Sequence, residues 1–331
     1  MVSIRVELIC ADAYHQSVNS HRGAALSVIL IAALCLSACT GARLLAQSQE
    51  STLNAQIQAR LAAGQTDQAL ILARQAAAQH PNSSAAFQLL GVIEFKAGLS
   101  NEASADLRKA IELDPTIPKN YYDLGIVEFR SARYQASVEP LESFLRLEPL
   151  NAGAHLLLGR AYAHTGRNRA AGQEFQRALQ LSPQLPLAHY YLGRIDQQQG
   201  DLKAALKQFK QEIQANPQLY QPYCLAADLE LKAGDIEAAS RLFEQGEKLQ
   251  PKNAEAHAGL GRVFLARNEL PQAVSELKTA LGIDPQNAAA HCALGQAYQK
   301  MSQVADAQVE FQVCARLKGR NEAPTVPAHS P

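Results

Sequence analysis

The chain has 331 residues, too many for one small domain and enough for two ordinary domains or one long array. Hydrophobic residues make up 47%, which supports a substantial core and excludes a disordered chain; 31 basic residues balance 31 acidic ones, which argues against a nucleic-acid partner. Ala, Leu and Gln are abundant and Trp is absent, a mix that favours helix nearly everywhere. Six cysteines are scattered without pair spacing, so neither a disulfide framework nor a C-x-x-C metal site is expected.

Residues 1–38 read as a leader. An n-region around 18–23 precedes an apolar core at 24–36, which has signal-peptide length and is short for a membrane-spanning helix. Glu7 and Asp12 fit an n-region poorly, so the natural start is expected further on, with Val18 as one candidate. The core ends in Leu36-Ser37-Ala38-Cys39, and small residues before the cysteine suit a signal peptidase pocket. These four residues resemble the lipobox of bacterial lipoproteins. That resemblance implies cleavage before Cys39 and lipid on its sulfur. Thr40, rather than Asp, then implies the periplasmic face of an outer membrane. A plain secretory signal or an uncleaved anchor are the alternative readings of the same run. Residues 39–49 read as a linker.

From there a 34-residue period governs the chain. Pro81, Pro115, Pro149, Pro183, Pro217, Pro251 and Pro285 recur without a slip. The same frame carries Gly91, Gly125, Gly159, Gly193, Gly261 and Gly295, with Ala227 in the one missing slot. In one unit, Leu158-Gly159 and Tyr162 lie on a first helix, Gly166 makes a turn, and Ala171 and Phe175 share one face of a second helix that Pro183 ends. Each unit is a helix hairpin with an open apolar flank that stacking on the next copy must close.

The Leu-Gly-x-x-Tyr, Ala-x-x-x-Phe, Pro pattern, fullest in residues 152–185, resembles the tetratricopeptide repeat family. The resemblance implies an all-α fold, a right-handed α-solenoid of about eight 34-residue helix-turn-helix repeats. These run 50–83, 84–117, 118–151, 152–185, 186–219, 220–253, 254–287 and 288–321, with a tail at 322–331. The first repeat departs from it, with Gln56, Ile57 and Ala73 where Leu, Gly and an aromatic are usual, and reads as a degenerate cap. Pro140 falls inside a second helix and is expected to kink or shorten it, whereas Pro118, Pro186, Pro222 and Pro271 suit first turns. Val304 and Phe311 of the last repeat are expected to be partly exposed.

No nucleophile elbow, phosphate loop or H-E-x-x-H is present, so no enzyme activity and no cofactor or metal are expected. His155, His189, His257 and His291 share one repeat position; helix spacing keeps them too far apart for one metal, and packing against a neighbouring helix is expected. Cys224 and Cys292 share another position and are too far apart to bridge, while Cys314 reads as a small core residue.

The family resemblance implies a ligand along a concave groove lined by the first helices. Carried over by repeat position, the candidates are Tyr122, Arg130, Arg160, Tyr190, Arg194, Asp228, Lys232 and Arg262. Two of the slots pointing there hold Arg or Lys at seven of fourteen positions and an acid only at Asp228. This predicts a protein or peptide partner carrying acidic and apolar residues. The family's Lys/Asn clamp is not matched, because its Asn slot holds Arg160, Arg194 or Asp228, so a receptor for chaperone C-terminal tails is not expected. The expected function is a non-catalytic envelope scaffold, supporting assembly of a complex such as an outer-membrane assembly, a pilus or a polysaccharide exporter. An assembly factor that oligomerises through the repeat ends, or a secreted protein without lipid, is the alternative.

Overall fold

The computed structural model describes residues 52–322, and Cys39, the rest of the leader and linker, and residues 323–331 of the tail lie outside them. The described residues form sixteen α-helices and no strand. They are α1 (52–62), α2 (Thr66–Gln79), α3 (Ser84–Lys96), α4 (Ser100–Leu113), α5 (Pro118–Arg130), α6 (Tyr134–Leu147), α7 (Ala152–His164) and α8 (Asn168–Leu181). The series continues with α9 (Ala188–Gln198), α10 (Leu202–Ala215), α11 (Tyr220–Ala233), α12 (Ile236–Leu249), α13 (Ala254–Ala266), α14 (Leu270–Ile283), α15 (Ala288–Lys300) and α16 (Val304–Glu322). Eight hairpins result, an all-α solenoid of repeats. The chain divides into two compact units, one ending at Phe144 and the other starting at Leu145.

The turn inside every hairpin uses one left-handed residue at the same repeat position. Gly64, Gly98, Gly166, Gly200 and Gly234 take it with φ of 71–89°; Ala132, Asn268 and Ser302 take it with φ of 58–61°. Without a Cβ, glycine adopts this conformation at no steric cost, whereas an alanine strains. Ala132→Gly is therefore expected to raise the stability of the first unit by up to about 1 kcal/mol in a denaturant titration.

Within each hairpin a small residue on the first helix faces a large one on the second. A Cβ added at Gly91, Gly125, Gly159, Gly193, Gly261 or Gly295 would come within 2.5–2.8 Å of Leu107, Leu141, Phe175, Phe209, Leu277 or Phe311 respectively. The first hairpin inverts this lock: Ile57 is fully buried and its partner slot holds the fully buried Ala73. The slot with Ala227 solves the problem differently. Phe243 turns to Gly259 of the following hairpin, where a Cβ would lie 2.2 Å from its ring.

Neighbouring hairpins are also latched by charge. In the first unit Arg74 pairs with Glu94 at 3.3 Å and Arg108 with Glu128 at 2.6 Å; in the second Lys210 pairs with Glu230 at 2.6 Å. Each cation lies 20 residues before its partner, on the preceding second helix. At the same offset Lys278 sits 5.8 Å over the Tyr298 ring. Glu128 is held by a second cation, Arg133. Glu94 has no such second arginine; its Oε2 is buried and without a hydrogen-bond partner, beside Asp106. Burial first, then Asp106, push the Glu94 carboxyl up to about 7, against the opposing pull of Arg74. The folded first unit thus binds a proton that the unfolded chain releases at its ordinary 4.5, so this stability is present below about 4.5 and is lost as pH rises through about 7. Glu94→Gln is expected to stabilise the first unit at pH 8 by on the order of 1–3 kcal/mol and to flatten its pH dependence, read from the slow-exchanging amides of α3 and α4.

Of the expectations about prolines and cysteines, two are corrected and one is narrowed. Helix α6 runs through Pro140 for 14 residues, the length of its counterparts, so the proline does not shorten it. Pro186 lies in a turn ahead of α9, not in its first turn. Cys314 is not a lone core residue: it forms a disulfide with Cys292 across the last hairpin, with Cα atoms 5.3 Å apart, inside the range such a bridge requires. A pairing of slots on facing helices leaves no close-spaced cysteine motif to read. At the chain's end Val304 is 60% exposed, Phe311 is half-buried, and α16 is 19 residues long where other second helices have 14.

Candidate functional site

The recurring histidines stand at the junction inside four of the five hairpins of the second unit, where His189 meets the Gln208 side chain at 2.7 Å. His155, His257 and His291 each place Nε2 3.1 Å from the carbonyl oxygen of the proline six residues earlier. That oxygen only accepts, so Nε2 donates, and Nδ1 is left facing Glu174, Glu276 or Glu310 at 2.6, 2.7 and 2.5 Å. Burial alone would lower the His257 pKa, but Glu276 and the Pro251 carbonyl outweigh it and raise it. Tyr223 fills the same slot and donates to the Pro217 carbonyl at 3.1 Å. The three histidine–glutamate pairs tie together the two helices of one hairpin; the sequence reading placed the histidines against a neighbouring helix and did not find their carboxylate partners. Among the described residues no cluster of three metal-ligating side chains occurs.

The predicted groove residues divide between the units. In the first, Tyr122 packs on Phe144 with ring centroids 4.7 Å apart, and Arg130 is exposed in the last turn of α5.

In the second unit, α7 and α9 bring four groups together. The Arg160 guanidinium lies 5.1 Å over the Tyr191 ring, and that of Arg194 lies 5.9 Å over the Tyr190 ring. Arg194 Nη1 also donates to the Tyr190 hydroxyl at 3.1 Å. Tyr191 stacks on Phe175 at 5.5 Å. A cavity of about 220 Å³ opens between them, lined also by His164 and Gln198, with no carboxylate in its wall. Its field is positive: burial and then the Arg160 charge lower the His164 pKa. Burial raises the Tyr191 hydroxyl against the opposing charges of Arg160 and Arg194.

The start of α9 sets this cradle. Leu187 is left-handed at φ 70° after Pro186, and the helix has 11 residues where α7 and α13 have 13. Asn151, Asn253 and Asn287 cap the neighbouring first helices, but Leu187 offers no side-chain cap. The fully buried Glu212 of α10 replaces it, accepting from the Leu187 N–H at 2.8 Å and the Tyr190 N–H at 3.1 Å. Tyr191 and Glu212 were missed by the sequence reading. An aromatic beside Tyr190, and a glutamate where other repeats carry Ala110, Ala178 and Ala280, are the signals that point to them.

The remaining candidates, Arg262 and Lys232, share one carboxylate. Arg262 donates to Asp228 at 2.8 Å, and Lys232 lies 4.0 Å from the same carboxylate. Asp228 thereby offsets part of the basic bias expected along this face, while Arg160 and Arg194 line a cavity without a carboxylate. Beside Arg262 a second cavity of about 230 Å³ is lined by Cys224, Asp228, Glu255 and Asn287. Burial, then Glu255 and Asp228, push the Cys224 thiol up to about 12; burial and Glu255 also raise Tyr220.

A series of helix hairpins with side-chain cradles on its first helices, and no catalytic constellation in them, is a repeat scaffold. Models described as "Tetratricopeptide repeat" match residues 54–118, 122–186 and 230–281, and one described as "TPR repeat" matches 261–302. Together they take in more than half of the chain, which belongs to the tetratricopeptide repeat family. Such proteins are generally non-catalytic scaffolds that bind protein or peptide partners. Among curated proteins none matches the chain significantly. The fold is similar to a tetratricopeptide repeat protein from Parabacteroides merdae, at 17% identity over 76% of this chain and 99% of that one, with TM-score 0.56. It is also similar to Pseudomonas aeruginosa pilF, at 20% identity over 66% and 96%, with TM-score 0.55. A third match is the APC/C hetero-tetramer Cut9-Hcn1, at 18% identity over 73% of this chain and 48% of that one, with TM-score 0.55.

Proposed function

We propose that this protein is an exported scaffold of the bacterial envelope, anchored by lipid on Cys39, that holds an acidic protein segment on the first helices and supports assembly of an envelope complex. The observation that carries the binding half is the α7–α9 cradle. Two arginines line a cavity without a carboxylate, and Arg194 makes no ion pair among the described residues. A photo-crosslinker in place of Gln198, on the cavity rim, tests it in living cells. A captured protein lost in the Arg160→Glu/Arg194→Glu variant supports the reading; no capture, or capture indifferent to the charges, contradicts it.

The export half is supported by Leu36-Ser37-Ala38-Cys39 and by the Cys292–Cys314 disulfide, since disulfides persist in oxidising compartments. Intact mass of protein taken from its own cell envelope is expected to show Cys292 and Cys314 blocked to alkylation until reductant is added. Cys292→Ser is expected to cost about 3 kcal/mol or slightly more, the value for closing a loop of this length, and to speed exchange in α15 and α16. Alkylation of Cys292 and Cys314, beside the free Cys224, in the untreated protein would contradict export.

A second reading, self-assembly through the last hairpin, is favoured by Met301, Val304 and Val309, all exposed there. A mass that grows with concentration would support it.

A further inference from the structure

Two cavities of the second unit open among first helices, and their walls differ in charge. The α7–α9 cradle has Arg160 and Arg194 and no carboxylate. The α11–α13 cavity has Asp228 and Glu255 against one cation, Arg262, which is already bound to Asp228. Lys232 also faces Asp228, at 4.0 Å. Glu255 is exposed, pairs with no cation among the described residues, and stands in the first turn of α13. The shifts named above follow this division, with positive charge acting on His164 and Tyr191 and negative charge acting on Cys224 and Tyr220.

The distance between these charges sets the register of what lies across them. Neighbouring packed helices stand about 8–10 Å apart, and Glu255 lies about two first-helix spacings from Arg194 on α9. It also lies seven residues nearer its helix start than Arg262, the counterpart of Arg160, which adds about 10 Å along the axis. The separation is therefore about 20 Å, which an extended chain covers in roughly six residues.

We propose that the second unit holds one extended protein segment by two charges of opposite sign, an acidic side chain between Arg160 and Arg194 and a basic side chain at Glu255, spaced roughly six residues apart. This rests on the reading of the face as a binding surface and adds the chemistry and spacing of its occupant. A uniformly acidic ligand, such as a nucleic acid, meets repulsion at Glu255 that the bipolar segment does not.

Fluorescence anisotropy with the full chain tests it, using labelled 14-residue peptides of Ser, Gly and Ala that carry one Asp and one Lys. The two charges stand six or two residues apart, in both orders, alongside Asp-only and neutral peptides. One order of the six-spaced peptide is expected to bind at least fivefold tighter than the Asp-only and two-spaced peptides, and to weaken at 1 M salt. Glu255→Lys is expected to remove that advantage while leaving the Asp-only peptide unchanged. Equal binding of the Asp-only and six-spaced peptides, no effect of Glu255→Lys, tighter binding of a single-stranded oligonucleotide, or no binding by any peptide would each overturn the proposal. If instead Asp-dependent binding survives Arg160→Glu/Arg194→Glu, the underlying reading of the cradle fails as well.

Discussion

Gly159→Ile is expected to destabilise the second unit by about 3 kcal/mol or more, because the new side chain has nowhere to go. Its Cβ would fall 2.6 Å from the Phe175 ring and 3.2 Å from the Ala171 carbonyl oxygen. The ring is fully buried and the carbonyl is backbone, so neither gives way cheaply. Phe175→Ala, made alone, is expected to cost about 3–5 kcal/mol through the cavity it leaves. The two losses should not add. In the first hairpin the lock is already reversed, with Ile57 opposite Ala73. Gly159→Ile with Phe175→Ala reproduces that arrangement in the fourth hairpin and is expected to recover more than half of the summed loss. Denaturant titration followed by helical circular dichroism reads the cycle. Strictly additive losses would show that the slot pair is not the contact that closes the hairpin.

Reversing Arg160 and Arg194 together to Glu is expected to weaken the captured partner at least 100-fold, about 3 kcal/mol, with helicity unchanged. Both guanidiniums rest on tyrosine faces at an open cavity, and Arg194 makes no ion pair among the described residues. Arg262→Glu is expected to behave differently, since it sets a second carboxylate against Asp228. Its first effect is on stability, and a binding loss there would follow from misfolding. Affinity and melting temperature measured on both variants and the wild type separate these outcomes.

Much of the architecture was legible because the constraints recur. One left-handed turn residue and one small/large pair per hairpin leave marks every 34 residues, and a run of marks in register overrides irregularities such as Pro140. Compensations were harder to see. Gly259 makes room for Phe243 because Ala227 does not, and the two changes sit in different repeats, so each looks like noise alone. The same holds for Glu212, which caps α9 from another helix because Pro186 delays the helix start. Repeat position puts Arg160, Arg194 and Arg262 in one slot, but it carries no information about the opposing side chain. Asp228, one repeat before Arg262, consumes a charge that Arg194 keeps. The histidines illustrate the same limit. Their recurrence was visible, while their glutamates, 19 residues on, belong to a different helix face.

The account holds that the first helices of this repeat array grip another protein. Hydrogen exchange of the full chain with and without the crosslink-identified partner segment tests it most directly. The account predicts slowed exchange in α7, α9, α11 and the start of α13, with α8, α10 and α12 unchanged. Protection confined to the second helices, or none at saturating partner, would contradict it.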